Sequence, residues 1–569
     1  IYHSNILTIF PESSSKMLIV YTAPGPKLKS FNNISESTVF GNVVFYAFYR
    51  VPYAEPPVKK LRYKDPRPIN KRRKYVDARV QHYGACAQGH IVHRKGIYGV
   101  EDCLYLNVYT PQLPSYKNVN LKAVLMWFHG YAFTSSISHL YGPDFFILND
   151  IVFVSVAYRV GPFGFLKTND GISDENMGLK DIIMALKWVR VNIRKFGGDK
   201  SKITVMGFDS AGTLLTLLLT SNYIRLFSKI ILHSSSIFSP SLFRENSSLE
   251  SKKLRDLLKT TKGSDIETAA SNDVIEVAYG IYNVSDITRS QRPIVPFIPS
   301  VNLINKKAIV TKRPGELMNE NNINIPILVG FNSEESVSEI VPFLNNPLLL
   351  KKLKKEFKYM VPFCDGCSYE YNSDTYKRVA NIIKQNYFKG KIDEMSINSF
   401  INYTRQLETY PIYHFIKKIS EINQNATFAF KFNYKGQLNS VSRIATQSTN
   451  INVKGSAKGD ELCYLLRCEP LNKIYASQAH KPNDTDNKII KEMSTLWANF
   501  IKHGSPNFGS KLNYTWLPIN STNEKILWID KTIKMITPIE EILMYTFWNK
   551  IFREYYHKRH CTEKLRNEL

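Results

Sequence analysis

Apolar runs alternate with amphipathic stretches through the middle of the chain. The run Ala-Val-Leu-Met-Trp-Phe within Lys122–His129 reads as a strand buried on both faces, as in a parallel sheet. A second such run spans 151–158. Leu179, Ile182, Leu186, Val189, Ile193 and Phe196 recur at three- and four-residue steps, which predicts an amphipathic helix ended by Gly197-Gly198. A strand at 203–206 precedes an apolar helix around 214–219, and runs at 230–232 and 326–329 continue the strand series. The stretches 240–320 and 340–420 read as helical and irregular excursions over the core. An aromatic strand at 427–434 and a long helix at 487–503 follow. This alternation predicts a doubly wound α/β fold with a large, mostly parallel central sheet flanked by helices. No repeat or low-complexity linker interrupts it. Residues 1–569 therefore read as a single domain, with an N-terminal extension over about 1–20 and a basic C-terminal tail over about 549–569.

Composition adds the compartment and the charge. A chain that is 43% hydrophobic can fill a large core. No uninterrupted apolar run reaches the length of a membrane span, so no transmembrane segment is expected. The start at Ile1 carries no clear signal peptide, which reads as a mature or incomplete chain. The formal net charge is +26, with basic runs at Lys71-Arg72-Arg73-Lys74, Lys351-Lys352, Lys354-Lys355 and His557-Lys558-Arg559-His560. Such a surface attracts polyanions, and an acidic protein or a sulfated glycan is the expected partner. A solvated face in a Lys- and Asn-rich chain is the simpler account. No zinc-finger, helix-turn-helix or RNP-like pattern accompanies the charge, so no nucleic-acid partner is expected. No metal-site spacing or phosphate-binding glycine loop occurs, and no cofactor is implied. Asn-x-Ser/Thr sequons at Asn33, Asn246, Asn283, Asn402, Asn425, Asn483, Asn513 and Asn520 fit a secreted or extracellular glycoprotein. Cys364-Asp365-Gly366-Cys367 suggests a turn with a local disulfide or two free thiols.

A series of motifs then appears in order. These are Val51-Pro52-Tyr53-Ala54-Glu55-Pro56-Pro57, Glu101-Asp102-Cys103-Leu104-Tyr105-Leu106-Asn107-Val108, and Tyr158-Arg159-Val160-Gly161-Pro162-Phe163-Gly164-Phe165. Phe196-Gly197-Gly198-Asp199 and Phe547-Trp548 complete the series. The chain resembles the type-B carboxylesterase and cholinesterase-like family of the α/β-hydrolase fold over nearly its whole length. The resemblance implies a disulfide between Cys86 and Cys103, worth about 3 kcal/mol for so short a loop. It also implies ion pairs Arg62–Glu101 and Arg159–Asp181, which as ordinary surface pairs would contribute little.

The resemblance breaks where the family's chemistry sits. Ala457-Lys458-Gly459-Asp460-Glu461-Leu462 matches the segment carrying the family's catalytic histidine, and Lys458 stands in its place. A serine hydrolase needs a base with a free lone pair, and an ammonium has none. The family elbow is Gly-x-Ser-x-Gly, a sharp strand-to-helix turn. Here the residues are Gly207-Phe208-Asp209-Ser210-Ala211-Gly212. Two registers fit. An ungapped count from Phe196-Gly197-Gly198-Asp199 puts Asp209 at the nucleophile position, which is the preferred reading. Matching on the serine puts Ser210 there and Phe208 where glycine is needed. The oxyanion loop reads His129-Gly130-Tyr131-Ala132-Phe133 in place of His-Gly-Gly-Gly-Phe, so Tyr131, Ala132 and Ser210 supply the expected backbone donors. Glu335 in Gly330-Phe331-Asn332-Ser333-Glu334-Glu335-Ser336 matches the family acid.

Asp209, Lys458 and Glu335 are accordingly expected to meet as one cation between two carboxylates, with removal of Lys458 costing several kcal/mol. Three functions compete. The first is a catalytically inactive protein acting in extracellular binding or recognition, with a small lipophilic ligand in the gorge. The second is a serine esterase using Ser210 with Lys458 and Glu335. The third is an aspartate-nucleophile hydrolase, for which Lys458 supplies no base. His93, at the position of the family's cation-binding tryptophan, argues against a cholinesterase.

Overall fold

The computed structural model describes residues 17–21, 27–31, 34–38, 41–69, 75–79, 84–89, 96–114, 120–239, 248–281, 295–301, 308–312, 314–320, 322–346, 374–389, 397–449, 451–479, 483–509 and 513–555, with a few single residues besides. His93 and the Cys364–Cys367 segment lie outside the described residues.

Eleven strands of one sheet organise the fold. In chain order they are β1 (Ile34–Thr38), β2 (Gly41–Pro52), β3 (Tyr105–Thr110), β4 (Lys122–His129), β5 (Val152–Val156) and β6 (Gly198–Phe208). They continue as β7 (Lys229–His233), β8 (Ile327–Asn332), β9 (Thr427–Phe432), β10 (Ile526–Ile529) and β11 (Lys534–Ile536). Their spatial order is β11-β10-β9-β8-β7-β6-β4-β5-β3-β2-β1. The pairs from β5 through β4, β6, β7, β8 and β9 to β10 are all parallel. Both edges finish antiparallel. This is the doubly wound α/β sheet that the alternation of apolar runs predicts, and it fits the α/β-hydrolase architecture that the resemblance implies. The central strands are buried on both faces, which is why they read as continuous apolar runs.

Seven helices matter for the site or its support. They are α1 (Met177–Asn192), α2 (Ser210–Leu219), α3 (Val337–Leu344), α4 (Ile397–Ile422), α5 (Ser440–Thr449), α6 (Thr485–His503) and α7 (Ile539–Tyr555). α1 runs into a 3-10 turn, Ile193–Phe196, and Gly197 stops it at a left-handed φ of 82°. α2 has no polar face; all of its residues are buried, so it is a core helix beneath the sheet's C-terminal edge.

The expected disulfide Cys86–Cys103 is formed. A second joins Cys463 to Cys468, a pairing the sequence left open. The two expected ion pairs are present but are not surface pairs. The side chains of Arg159 and Asp181 are 3% and 0% exposed, and two guanidinium nitrogens of Arg159 donate to the two carboxylate oxygens. Arg62 pairs with Glu101 and also donates to the carbonyls of Ile266 and Ala269. Buried, bidentate pairs of this kind cost several kcal/mol to break. Among the described residues no helix is long and apolar enough to cross a membrane.

Candidate active site

Parallel strands deliver their C-terminal ends to one edge, where such folds build their sites. β4 ends at His129, β6 at Phe208, β7 at His233 and β8 at Asn332. The loop with Lys458 joins them from a distant part of the chain. The amide of Glu334 donates to the carbonyl of Ser456, and a parallel bridge links Glu334 with Ala457.

The residue between β6 and α2 is Asp209, at φ 48° and ψ −120°. This backbone region is sparsely populated by non-glycine residues and is held by its surroundings at a cost of about 1–3 kcal/mol. Its amide donates to the carbonyl of His233, and its own carbonyl accepts from Thr213 and Ser235. Gly207 and Gly212 are required by close approach. A Cβ on Gly207 would come within 2.6 Å of the Cα of Gly212, and one on Gly212 within 1.9 Å of Ser235 Oγ. Gly212 thus takes the packing role of the family's last glycine, and Ala211 is free to differ. Ser210 is the first residue of α2 and is fully buried. Its Oγ sits 2.6 Å from where a Cβ on Gly130 would be, against the oxyanion loop.

The loop after β4 keeps Gly130 and carries Tyr131 and Ala132 at the next two positions. Ala132 and Phe133 adopt φ of 49° and 57°, a region that costs an L-residue roughly 1–2 kcal/mol. The expectation that Tyr131 supplies a donor is corrected: its amide is bonded to the carbonyl of Ser135. The amide of Ala132 does point into the site, and it donates to Asp209 Oδ2 at 2.7 Å. The Asp209 carboxylate therefore occupies this donor.

Lys458 faces Asp209 as expected, with Nζ donating to Oδ1 at 3.1 Å. The expected second partner is corrected. Nζ also donates to Glu339 Oε1 at 3.1 Å and lies 3.9 Å from Glu408 Oε2, whereas Glu335 makes no hydrogen bond to it. Instead Glu335 Oε1 accepts from Ser234 Oγ at 2.7 Å and from the Asn332 amide at 2.6 Å. Burial pushes the Glu335 carboxyl up to about 8, against the opposing pull of Lys458 and these hydrogen bonds. Burial alone would lower Lys458, but Glu339, Asp209, Glu408 and Glu335 together hold it well above the ordinary lysine value. Burial likewise raises Glu339, opposed by the charge of Lys458.

The rest of the Lys458 loop is firmly anchored. Asp460 accepts from the amides of Ala457, Val441 and Ser442 and from Ser442 Oγ. Glu461 accepts from Asn332 Nδ2 at 2.6 Å and from the Gly459 amide, and lies 3.1 Å from His233 Nδ1. Sequence reasoning missed Glu339 and Glu408. One signal was available: Glu339 follows Glu335 by four residues, near the start of an apolar helix. Glu408, in the middle of α4, gave none.

Beside this cluster lies a cavity of about 510 Å³, lined mainly by apolar groups, including Ile137, Leu140, Tyr141, Phe208, Val341, Ile444 and Leu471. Tyr131 and Lys458 form part of its wall, as do Cys463 and Cys468. His129, also in the wall, is buried; burial lowers it to about 3, so its ring is neutral. Among the described residues no His, Cys, Asp or Glu cluster is arranged to hold a metal ion.

Comparison with known proteins sets this site in context. Esterase FE4 of Myzus persicae is 29% identical over 488 residues, covering 84% of this chain and 83% of that protein. Venom carboxylesterase-6 of Apis mellifera is 30% identical over 480 residues, covering 81% and 82%. The crystal structure of juvenile hormone esterase from Manduca sexta, with OTFP covalently attached, superposes with a TM-score of 0.79 at 22% identity, over 94% of this chain and 100% of that one. The carboxylesterase family model matches residues 33–548, and the chain belongs to that family.

Proposed function

We propose that this protein is a non-hydrolytic member of the carboxylesterase family that binds a small lipophilic ligand and acts in extracellular binding or recognition. The observation that supports this best is the contact of Asp209 with both the Ala132 amide and Lys458. An anionic carboxylate in the oxyanion position repels the charge that develops in ester hydrolysis, and a lysine ion-paired to it offers no base. Glu335 has no histidine to orient, since Lys458 stands at that position. The apolar cavity supports a lipophilic ligand, whose displacement of a fluorescent apolar probe would be the direct readout. Two disulfides and the exposed sequon residues Asn425, Asn483, Asn513 and Asn520 fit a secreted glycoprotein. The charge of +26 supports an acidic protein or sulfated glycan as partner; absent or salt-insensitive retention on heparin would count against the glycan.

The second reading is a serine esterase using Ser210 with Lys458 and Glu335. The names of the relatives, which are esterases, favour it. Complete burial of Ser210 and the pairing of Lys458 with carboxylates weigh against it. A fluorophosphonate, read by intact mass and peptide mapping beside a fully labelled control esterase, tests the choice. No adduct supports the non-hydrolytic protein, and a stoichiometric adduct on Ser210 supports the esterase.

A further inference from the structure

We propose that Lys458 and Asp209 condense into an intramolecular isopeptide bond, a covalent cross-link made by the remodelled site on itself. The inference rests on the non-hydrolytic reading, in which Asp209 stands at the elbow and faces Lys458. The amine nitrogen is 3.1 Å from Asp209 Oδ1. The Ala132 amide holds the other oxygen, Oδ2, at 2.7 Å. That amide stabilises the charge that builds on Oδ2 when Cγ becomes tetrahedral. The oxyanion donor thus acts on the protein's own carboxyl group. Glu339 Oε1, 3.1 Å from the same nitrogen, is placed to take a proton from the ammonium and return it to the departing oxygen.

The atoms balance within the site. The Nζ–Cγ bond forms and the Cγ–Oδ1 bond breaks. Two of the three ammonium protons leave with Oδ1 as water, and the third stays on the amide nitrogen. Glu339 ends as it began, and nothing is oxidised or reduced. Asp209 is the acyl partner because it combines a rigid elbow backbone with a backbone donor on its second oxygen. Glu339 instead accepts from Ser338 Oγ on its Oε2.

Three conditions favour the step. The two groups are held in contact by elements anchored independently of them, which converts a bimolecular condensation into an intramolecular one. The side chains of Lys458 and Asp209 are only 8% and 6% exposed, so the neutral pair and the amide avoid the cost of two buried charges. Finally, the bond forms once per molecule. The carboxylates that keep Lys458 protonated make attack slow, and a single turnover tolerates a slow step.

The test is intact mass on the full chain, with disulfides reduced and N-glycans removed and accounted for, followed by peptide mapping and fluorophosphonate treatment. The expected result is a species lighter than its sequence by one water, and a branched peptide joining the segments that contain Asp209 and Lys458. Lys458→Arg keeps the charge and should abolish the branched peptide. Glu339→Gln should slow its formation by about 100-fold, measured in chains that retain the wild-type circular dichroism. Chains at full sequence mass, with the two segments recovered separately and no fluorophosphonate adduct, would overturn the cross-link and leave the non-hydrolytic reading standing. Water loss without a branched peptide, or a branch at Glu339, would overturn the assignment to Asp209. An adduct on Ser210 would overturn the reading beneath it.

Discussion

In chains that have not formed the cross-link, replacing Lys458 with methionine removes the cation from a cluster that keeps its carboxylates. Asp209, Glu339 and Glu408 all lie within 4 Å of Nζ, and their side chains are 6%, 16% and 14% exposed. Breaking a buried pair by removing one partner costs about 3–5 kcal/mol, because the remaining charge is left uncompensated. For 569 residues, an unfolding entropy of about 2.1 cal/mol/K per residue gives about 1.2 kcal/mol/K. The expected fall in Tm at pH 8 is therefore about 2.5–4 °C. The loss must also depend on pH. Without Lys458, the stranded carboxylates shed their charge only by taking up protons, so their pKa values in the fold rise above the unfolded ones. Groups of that kind cost nothing below the unfolded carboxylate range and cost most above their folded values. The deficit of Lys458→Met against wild type should accordingly be small near pH 4 and grow toward pH 8. Differential scanning calorimetry on both chains across this range measures it. An unchanged Tm at pH 8, or equal deficits at pH 5 and pH 8, would refute the claim that Lys458 is held there by carboxylates.

Other outcomes follow from the same geometry. Glu335 has its carboxyl raised by burial from 4.5 to about 8, so the folded chain keeps a proton that the unfolded chain releases. Its contribution to stability falls as pH rises through that interval, and Glu335→Gln should flatten the pH–Tm profile there. Ala132→Gly relieves a left-handed alanine at φ 49° and should stabilise the protein by about 1 kcal/mol in denaturant melts; destabilisation would mean that the methyl group packs usefully. Asp209→Ser combined with Lys458→His frees the Ala132 amide and should create fluorophosphonate labelling at position 209, whereas neither single variant should label. Arg159→Met strands the fully buried Asp181 and should destabilise the chain by about 3–5 kcal/mol, read as a drop in the denaturant midpoint.

Much of the architecture was legible because it is local. The apolar run at Lys122–His129 coincides with β4, since a strand covered on both faces needs no alternation. The helical spacing from Leu179 to Phe196 captured α1 with its closing 3-10 turn, because one face of a helix repeats in sequence. The elbow register was legible by counting from Gly197-Gly198, since β6 has a fixed length between the glycine turn and α2. The ion pair Arg159–Asp181 was named correctly, but its burial was not, because burial depends on what covers a residue.

The chain by itself determined the family, the mostly parallel sheet and the identity of the residues at Asp209, Lys458 and the loop Tyr131-Ala132. Each of these is carried by patterns within a few consecutive residues. Tertiary structure alone decided what those residues touch. Glu339 and Glu408 reach Lys458 from α3 and α4, elements whose approach is set by packing over the sheet and not by any spacing to residue 458. Folding also turned Glu335 toward Ser234 and Asn332, and set the Ala132 amide on the Asp209 carboxylate. A buried charge must find partners where the fold offers them, and sequence distance carries no information about where that will be.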